Sequence, residues 1–481
     1  MFGIFHSPKL LIDTAEKVAI ERELLNLGEF FGWDKWNDQS LLRPEELAKD
    51  YQFDHESLKV IHESLVELLE LDAGRIRLIF SQGEVDSVSG MELIHSHDQS
   101  LNEDGVLVEG FQSDIRVGTN LLLDSLLAEL LRMLVAEKLI LSGYVDASDE
   151  QLPLRAEIAT VFFGFGLFTV NKTVSCNQST ETGYHYFSMV KLGALNSFGT
   201  GYLLALVLWH RNQSDWSMGK YLRPDAESSY QKTLAYLEKT NDTLLADPNL
   251  ARLDATTSIS TLETQLKSCT ATGIVWILEG IQFRTELERD VLLIKSTLFQ
   301  LLRHRDIHVG KLSLHLISFV REMDSVEIRE LQKLARGRNV WMASVAANIL
   351  STHLPFEKCE HEFARVLDEF EYEGAANAAQ MASRFGTAAS KYSRSVCHWI
   401  HASLNKCNYG IGLWYMLVLL HIHECPLEYV QEFFSDDEDL LRGALELFEE
   451  ANNLVHVDYG REEQKPEEIK DIFAVPAWVS I

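Results

Sequence analysis

The sequence predicts a mainly α protein in two parts, an α+β N-terminal module followed by an α-solenoid of paired helices. Three observations carry this expectation. Proline is scarce, nine in 481 residues, so long helices run unbroken. Apolar residues recur at the 3.6-residue helical period over most of the chain. In the last two fifths, apolar helices recur at a near-constant step. At roughly 150 residues per domain the length suits two or three domains. The expected boundaries are a mixed module over 1–222, a helical linker over 223–272, the helix pairs over 273–458 and an acidic tail over 459–481.

The first 120 residues alternate between helix and strand patterns. Lys17 to Phe31 carries an apolar stripe of Val18, Ile20, Leu24, Leu25, Leu27 and Phe30. Pro44-Glu45-Glu46-Leu47 starts a second helix, with proline in the first turn where its missing N–H is harmless. His55 to Leu71 is a third. Arg75 to Phe80, Gly105 to Glu109 and Ser113 to Val117 alternate like strands of a small antiparallel sheet, with Gly83, Gly90 and the polar run Ser96–Asp104 in loops between them. From Asn120 onward the pattern is almost wholly helical. Asn120 can cap Leu121–Leu141, and Ser142-Gly143 ends it. Glu157–Phe168 and Lys191–His210 are apolar and glycine-bearing, and Gly164-Phe165-Gly166 and Gly199-Thr200-Gly201 fit close helix packing better than a phosphate loop.

Apolar helices begin near Val309, Met342, Ala375, Gly410 and Leu441, at steps of 33, 33, 35 and 31 residues. A more charged helix lies between each pair: Val326–Ala335, His361–Glu371, Tyr392–Leu404 and Leu427–Phe434. Two helices per step is the mark of an array in which each pair buries its apolar face only against its neighbours. On period and pattern it resembles HEAT-like repeats; an irregular helical bundle is the competing arrangement. Asp436 to Asp471 holds 13 acidic and 4 basic residues and suits a polar capping surface.

Composition excludes several functions. With 43 basic and 72 acidic side chains the formal charge is −29. Such a surface repels nucleic acid and anionic membrane, whose binding depends on Lys and Arg. The helix Leu121–Leu141 is interrupted by Asp124, Glu129, Arg132, Glu137 and Lys138, each costing roughly 2.5–3.5 kcal/mol at a bilayer centre, so no membrane span is expected. Met1 to Lys9 lacks a signal-peptide pattern. Cys176, Cys269, Cys359, Cys397, Cys407 and Cys425 show no CxxC spacing, which suits reduced thiols in the cytoplasm.

The segment Glu157 to Asn171 reads Glu-Ile-Ala-Thr-Val-Phe-Phe-Gly-Phe-Gly-Leu-Phe-Thr-Val-Asn and follows a long apolar helix. This order resembles a group of bacterial zincin-like proteins, in which HExxH lies on the apolar helix and an acidic residue follows in a segment reading (D/E)xxTVFFGxGxFxxN. The resemblance covers roughly residues 10–215 and implies a zincin-like fold. HExxH works because histidines at i and i+4 share one helix face and reach one Zn²⁺, while the glutamate acts on bound water. Here the five residues are Ala128-Glu129-Leu130-Leu131-Arg132. The resemblance leaves Glu129 as the surviving glutamate and Glu157 as the counterpart of a third, acidic ligand. Alanine offers no lone pair, and Arg132 brings a fixed positive charge where the cation would be. An ion pair of Arg132 with Glu129 or Glu157 in place of metal is the expectation; a core helix that never bound metal is the plainer alternative.

Elsewhere, His95 and His97 lie in a polar stretch expected to be a loop that could bend both rings toward one ion. His398 and His401 share a helix face one repeat before His421, His423 and Cys425. A helix-end histidine interacting with the dipole is the simpler role for His421. No P-loop, GxGxxG or GxSxG occurs, so no cofactor and no catalytic residue are expected. The combined expectation is a non-enzymatic scaffold whose protein partner carries a basic patch. The alternatives are a metal-dependent hydrolase, such as a peptidase, with ligands from outside the degenerate motif, and a pseudo-peptidase that retains a peptide groove.

Overall fold

The computed structural model describes residues 9–33, 55–73, 75–80, 91–101, 107–117, 123–172, 174–181, 184–191, 193–253, 256–368 and 372–459. The expected helix at Pro44, the strand starting at Gly105 in its first two residues, and most of the tail 459–481 lie outside them. The chain is mainly α and forms two compact units, Met1–Gly280 and Ile281–Ile481.

In the first unit, α1 (Thr14–Phe31) starts at Asp13, whose side chain accepts the Glu16 N–H at 2.8 Å. Helix α2 (His55–Leu68) buries Leu58, Ile61 and Leu65. Strands β1 (Ile76–Phe80), β2 (Met91–Leu101) and β3 (Leu107–Val117) form a sheet in the order β1-β3-β2. The sheet is mixed rather than antiparallel: β1 runs parallel to β3, with Ile76 opposite Ser113, and β2 antiparallel, with Met91 opposite Val117. Part of the polar run expected as loop, Ser96 to Leu101, is strand.

Helix α3 (Leu123–Leu141) seals Leu130, Leu131, Leu134, Val135 and Leu139 in the core. It ends at Gly143, whose φ of +73° suits a residue without Cβ, while the Tyr144 N–H bonds back to Leu139 O at 3.0 Å. Helix α4 (Leu152–Phe162) and the short α5 (Gly166–Val170) are separated by Gly164 at φ +91°. A polar hairpin, β4 (Val174–Glu181) with β5 (Tyr184–Lys191), interrupts the region expected to be helical.

Helix α6 (Ser197–His210) is the core of this unit, with Tyr202 to Leu208 all buried. Helix α7 (Pro224–Thr240) packs on it at Gly201, where a Cβ would stand 2.6 Å from Ala226 O. Arg211, buried at the end of α6, donates to Phe162 O at the end of α4. Its cation meets the negative ends of two helices in place of a carboxylate, and burial lowers its pKa to about 10. Helices α8 (Pro248–Ala251), α9 (Ile259–Ser268) and α10 (Ala271–Gln282) complete the sequence up to the boundary. The expected linker 223–272 is therefore part of the first unit, held there by the packing of α7 on α6.

The second unit comprises α11 (Leu287–Leu301), α12 (Ile307–Ile317), α13 (Ser325–Ala335), α14 (Val340–His353), α15 (Phe356–Leu367), α16 (Tyr372–Phe385), α17 (Ser393–Asn405), α18 (Tyr409–Ile422), α19 (Pro426–Phe433) and α20 (Glu438–Tyr459). Helices α12, α14, α16, α18 and α20 pack side by side in chain order. Asp306, Asp324, Asn339 and Asn408 cap four helix starts with their side chains. Small residues set the close spacing: Ala343, Ala346 and Ala347 on α14 and Ala375, Ala378, Ala379 and Ala382 on α16 are buried. Among the described residues, no helix is long and apolar enough to cross a membrane.

Candidate functional site

Helix α3 brings Ala128, Glu129 and Arg132 to the core, and α4 brings Glu157. All four are buried, Ala128 and Glu157 completely. Arg132 Nη1 donates to Glu129 Oε1 at 2.5 Å, one helical turn away. Its Nη2 reaches past the end of α5, donating to Lys172 O at 3.1 Å and more weakly to Thr169 O at 3.5 Å. One carboxylate and the carbonyls at a helix C-terminus thus surround the guanidinium, a favourable setting for a cation. Nε has no hydrogen-bond partner among the described residues.

Glu157 is held from another side. Its Oε2 accepts the Leu195 N–H at 2.9 Å, and Gly193 closes over it so tightly that a Cβ there would stand 2.7 Å from Oε1. The carboxylates of Glu129 and Glu157 repel each other. Burial raises the Glu129 pKa, Arg132 pulls it down, and Glu157 pushes it up again. With two carboxylates and one guanidinium, this cluster is one electrostatic unit.

These residues do not fit a zinc ion. Ala128 has no donor atom, and Arg132 holds a positive charge against the carboxylate that a metal would need. Glu129 and Arg132 are each under 10% exposed. The expected ion pair forms with Glu129.

The other candidates are placed elsewhere. His95 and His97 lie on β2, paired through the backbone with Ser113 and Phe111 of β3, so no loop brings them together. His398, on α17, meets the Phe433 ring edge-on at 5.2 Å, and His401 stacks on Phe434 at 6.3 Å. His423 stacks on Tyr429 at 4.4 Å, and its Nδ1 accepts the Cys425 N–H at 3.1 Å. His421, at the end of α18, has its pKa lowered by burial. Cys397 is buried, its thiol pushed up to about 12, whereas Cys425 is exposed. Aromatic neighbours and a turn hydrogen bond engage these side chains. Among the described residues, no group of three or more His, Cys, Asp or Glu is placed to hold a metal.

Sequence reasoning missed a second buried charge cluster. Lys17 on α1 is sealed, with Nζ donating to Asp242 O and Thr272 Oγ1, each at 2.5 Å, and lying 3.3 Å from Glu21 Oε1 and 3.6 Å from Asp242 Oδ2. Glu21 also accepts the Tyr202 hydroxyl and the Leu244 N–H, and Asp242 accepts the Tyr236 hydroxyl. The one signal available was the i, i+4 spacing of Lys17 and Glu21 beside the apolar stripe of α1. With two carboxylates set around one enclosed ammonium, this cluster ties α1 to α6, α7 and α10. It offers no nucleophile or open face.

No protein-family model, no curated protein and no solved structure matches this chain.

Proposed function

We propose that this chain is a non-enzymatic interaction scaffold, in which a zincin-like module without its metal is joined to a helical-repeat domain that binds protein. The observation that carries the reading is the buried ion pair of Arg132 with Glu129, the two residues that the resemblance sets at the last and second places of HExxH. A fixed positive charge there satisfies the surviving carboxylate and supplies no Lewis acid or activated water. The serial packing of α12, α14, α16, α18 and α20 supports an α-solenoid of HEAT-like pairs, and such arrays present long surfaces to proteins. The charge of −29 favours a partner with a basic patch, and the free thiols of Cys359 and Cys397 suit the reducing cytoplasm.

Elemental mass spectrometry on tag-free full-length protein, purified without chelator, tests this reading. The expected result is no zinc near stoichiometric amounts. One zinc per chain would overturn it and favour a hydrolase whose ligands come from outside α3.

A further inference from the structure

The turns leading into α12, α14, α18 and α20 share one edge of the second unit. Ser344 meets Asn377, Asn348 meets Gln380 and Ser351 meets Arg384, so α14 and α16 run parallel with their starts together. Lys311 lies over the Trp341 ring at 5.1 Å, which joins the starts of α12 and α14. Tyr372 packs on Trp414, and Gly443 faces Leu404 at the end of α17, which carries the same edge on to α18 and α20.

Charge is not spread evenly along this edge. Its first two turns carry Arg303, Arg305, Arg336 and Arg338 with Asp306. Arg303 is paired with Glu330 and Arg336 with the buried Glu362, and exposed Asp368 stands before the neighbouring start of α16. The last turn of the edge carries Asp436 and Asp437, and Glu438 and Asp439 follow at once. The four arginines and these last four acids are exposed, the side chains of Arg303, Arg336 and Asp439 by 73%, 61% and 90%. Arg303 and Lys333 already share Glu330 and draw its pKa down to about 2. Arg305, Arg338, Asp436 and Glu438 form no ion pair with any described residue.

We infer that this edge is a self-association surface, the arginine end of one chain receiving the aspartate end of a second copy. Charge complementarity selects the occupant: within a chain of net charge −29 the exposed Arg305 and Arg338 stand at one end of the edge, and an acidic set that can match them, Asp436 to Glu438, lies at the other end of the same edge. The two ends differ, so the contact is heterologous and either closes a ring or extends a filament. This inference stands apart from the reading of Arg132 and Glu129.

The salt dependence should be non-monotonic. At ~0.01 M salt the screening length is ~30 Å and whole-chain repulsion keeps copies apart; near ~0.1 M it falls to ~10 Å and the contact survives; at ~1 M it is ~3 Å and the contact weakens. Sedimentation velocity on the full chain at the middle salt tests this, using two charge-reversal variants. Arg305→Glu with Arg338→Glu removes the basic end, and Asp436→Lys with Glu438→Lys removes the acidic end. Each variant alone should lose association about ten-fold or more, and an equimolar mixture, in which the acidic ends of one variant meet the basic ends of the other, should regain it at 1:1 stoichiometry. Wild-type protein that stays monomeric at every concentration and salt would overturn the inference. So would variants that associate as wild type does, or a mixture of folded variants that does not recombine.

Discussion

The two units differ in how much charge they bury. The first buries it: Lys17, Glu21, Glu129, Arg132, Glu137, Glu157 and Arg211 are each under 10% exposed. Their partners often come from far along the chain, 225 residues away for Lys17 and Asp242. The second unit buries fewer charges, Asp290 paired with Arg284 and Glu362 paired with Arg336. It keeps many of its ion pairs at the rim, where Arg303, Arg321 and Lys333 have side chains more than 70% exposed. Several of these pairs recur at about one helix-pair step, such as Lys295 with Glu327, Arg321 with Glu288 and Lys391 with Glu360. A buried ion without its partner cannot be hydrated, so each charge in the first unit is tied to one arrangement. A rim pair can be lost with water as the substitute.

The largest effect is expected for Lys17→Met. It leaves Glu21 and Asp242 buried without their cation, and removing one partner of such a set costs ~3–5 kcal/mol. Urea unfolding of the first unit should show a much lower midpoint; an unchanged midpoint would contradict the contrast between the units.

Arg132→Met comes next, at about 3 kcal/mol, because Glu129 keeps its burial and its repulsion from Glu157 while losing the cation that opposes both. The sign with pH follows. A Glu129 pKa raised in the folded protein means the folded state binds the proton more tightly, so stability falls as pH rises above the ordinary carboxylate range. The variant should lose stability over a wider pH span than wild type, readable from thermal melts at a series of pH values. Equal slopes would show that Arg132 does not hold Glu129.

Gly193→Ala should cost ~1–3 kcal/mol, since its Cβ would crowd both Glu157 oxygens, at 2.7 and 3.0 Å. Arg303→Ala is expected to leave the thermal midpoint within experimental scatter, because its pair with Glu330 is exposed. A large loss there would erase the difference between the two units.

How much was legible in the sequence follows the same division. In the second unit the apolar segments mark α12, α14, α16, α18 and α20 to within three residues of their starts, because each is rich in buried apolar residues, α18 in the consecutive run Tyr415 to Leu419. In the first, β2 and the hairpin β4–β5 escaped. Val174 to Glu181 reads Val-Ser-Cys-Asn-Gln-Ser-Thr-Glu and has no apolar alternation to betray a strand. The parallel pairing of β1 with β3 leaves no local mark, since strand direction is set by the path of the chain between them. At the candidate site, Glu129 and Arg132 were legible as an i, i+3 pair. The backbone N–H from Leu195 and the roof at Gly193 were not, because they come from 36–38 residues beyond Glu157 in sequence.

The most direct test of the central claim, that the Arg132 guanidinium stands in a cation's place, restores the histidines. Ala128→His with Arg132→His puts two imidazoles at i and i+4 on α3, the spacing with which HExxH holds one zinc. Zinc titration by calorimetry, alongside wild type and with circular dichroism confirming helical content, should show one zinc bound by the double variant and none by wild type. A folded double variant that takes up no zinc would contradict the claim and leave α3 as an ordinary core helix with a buried ion pair.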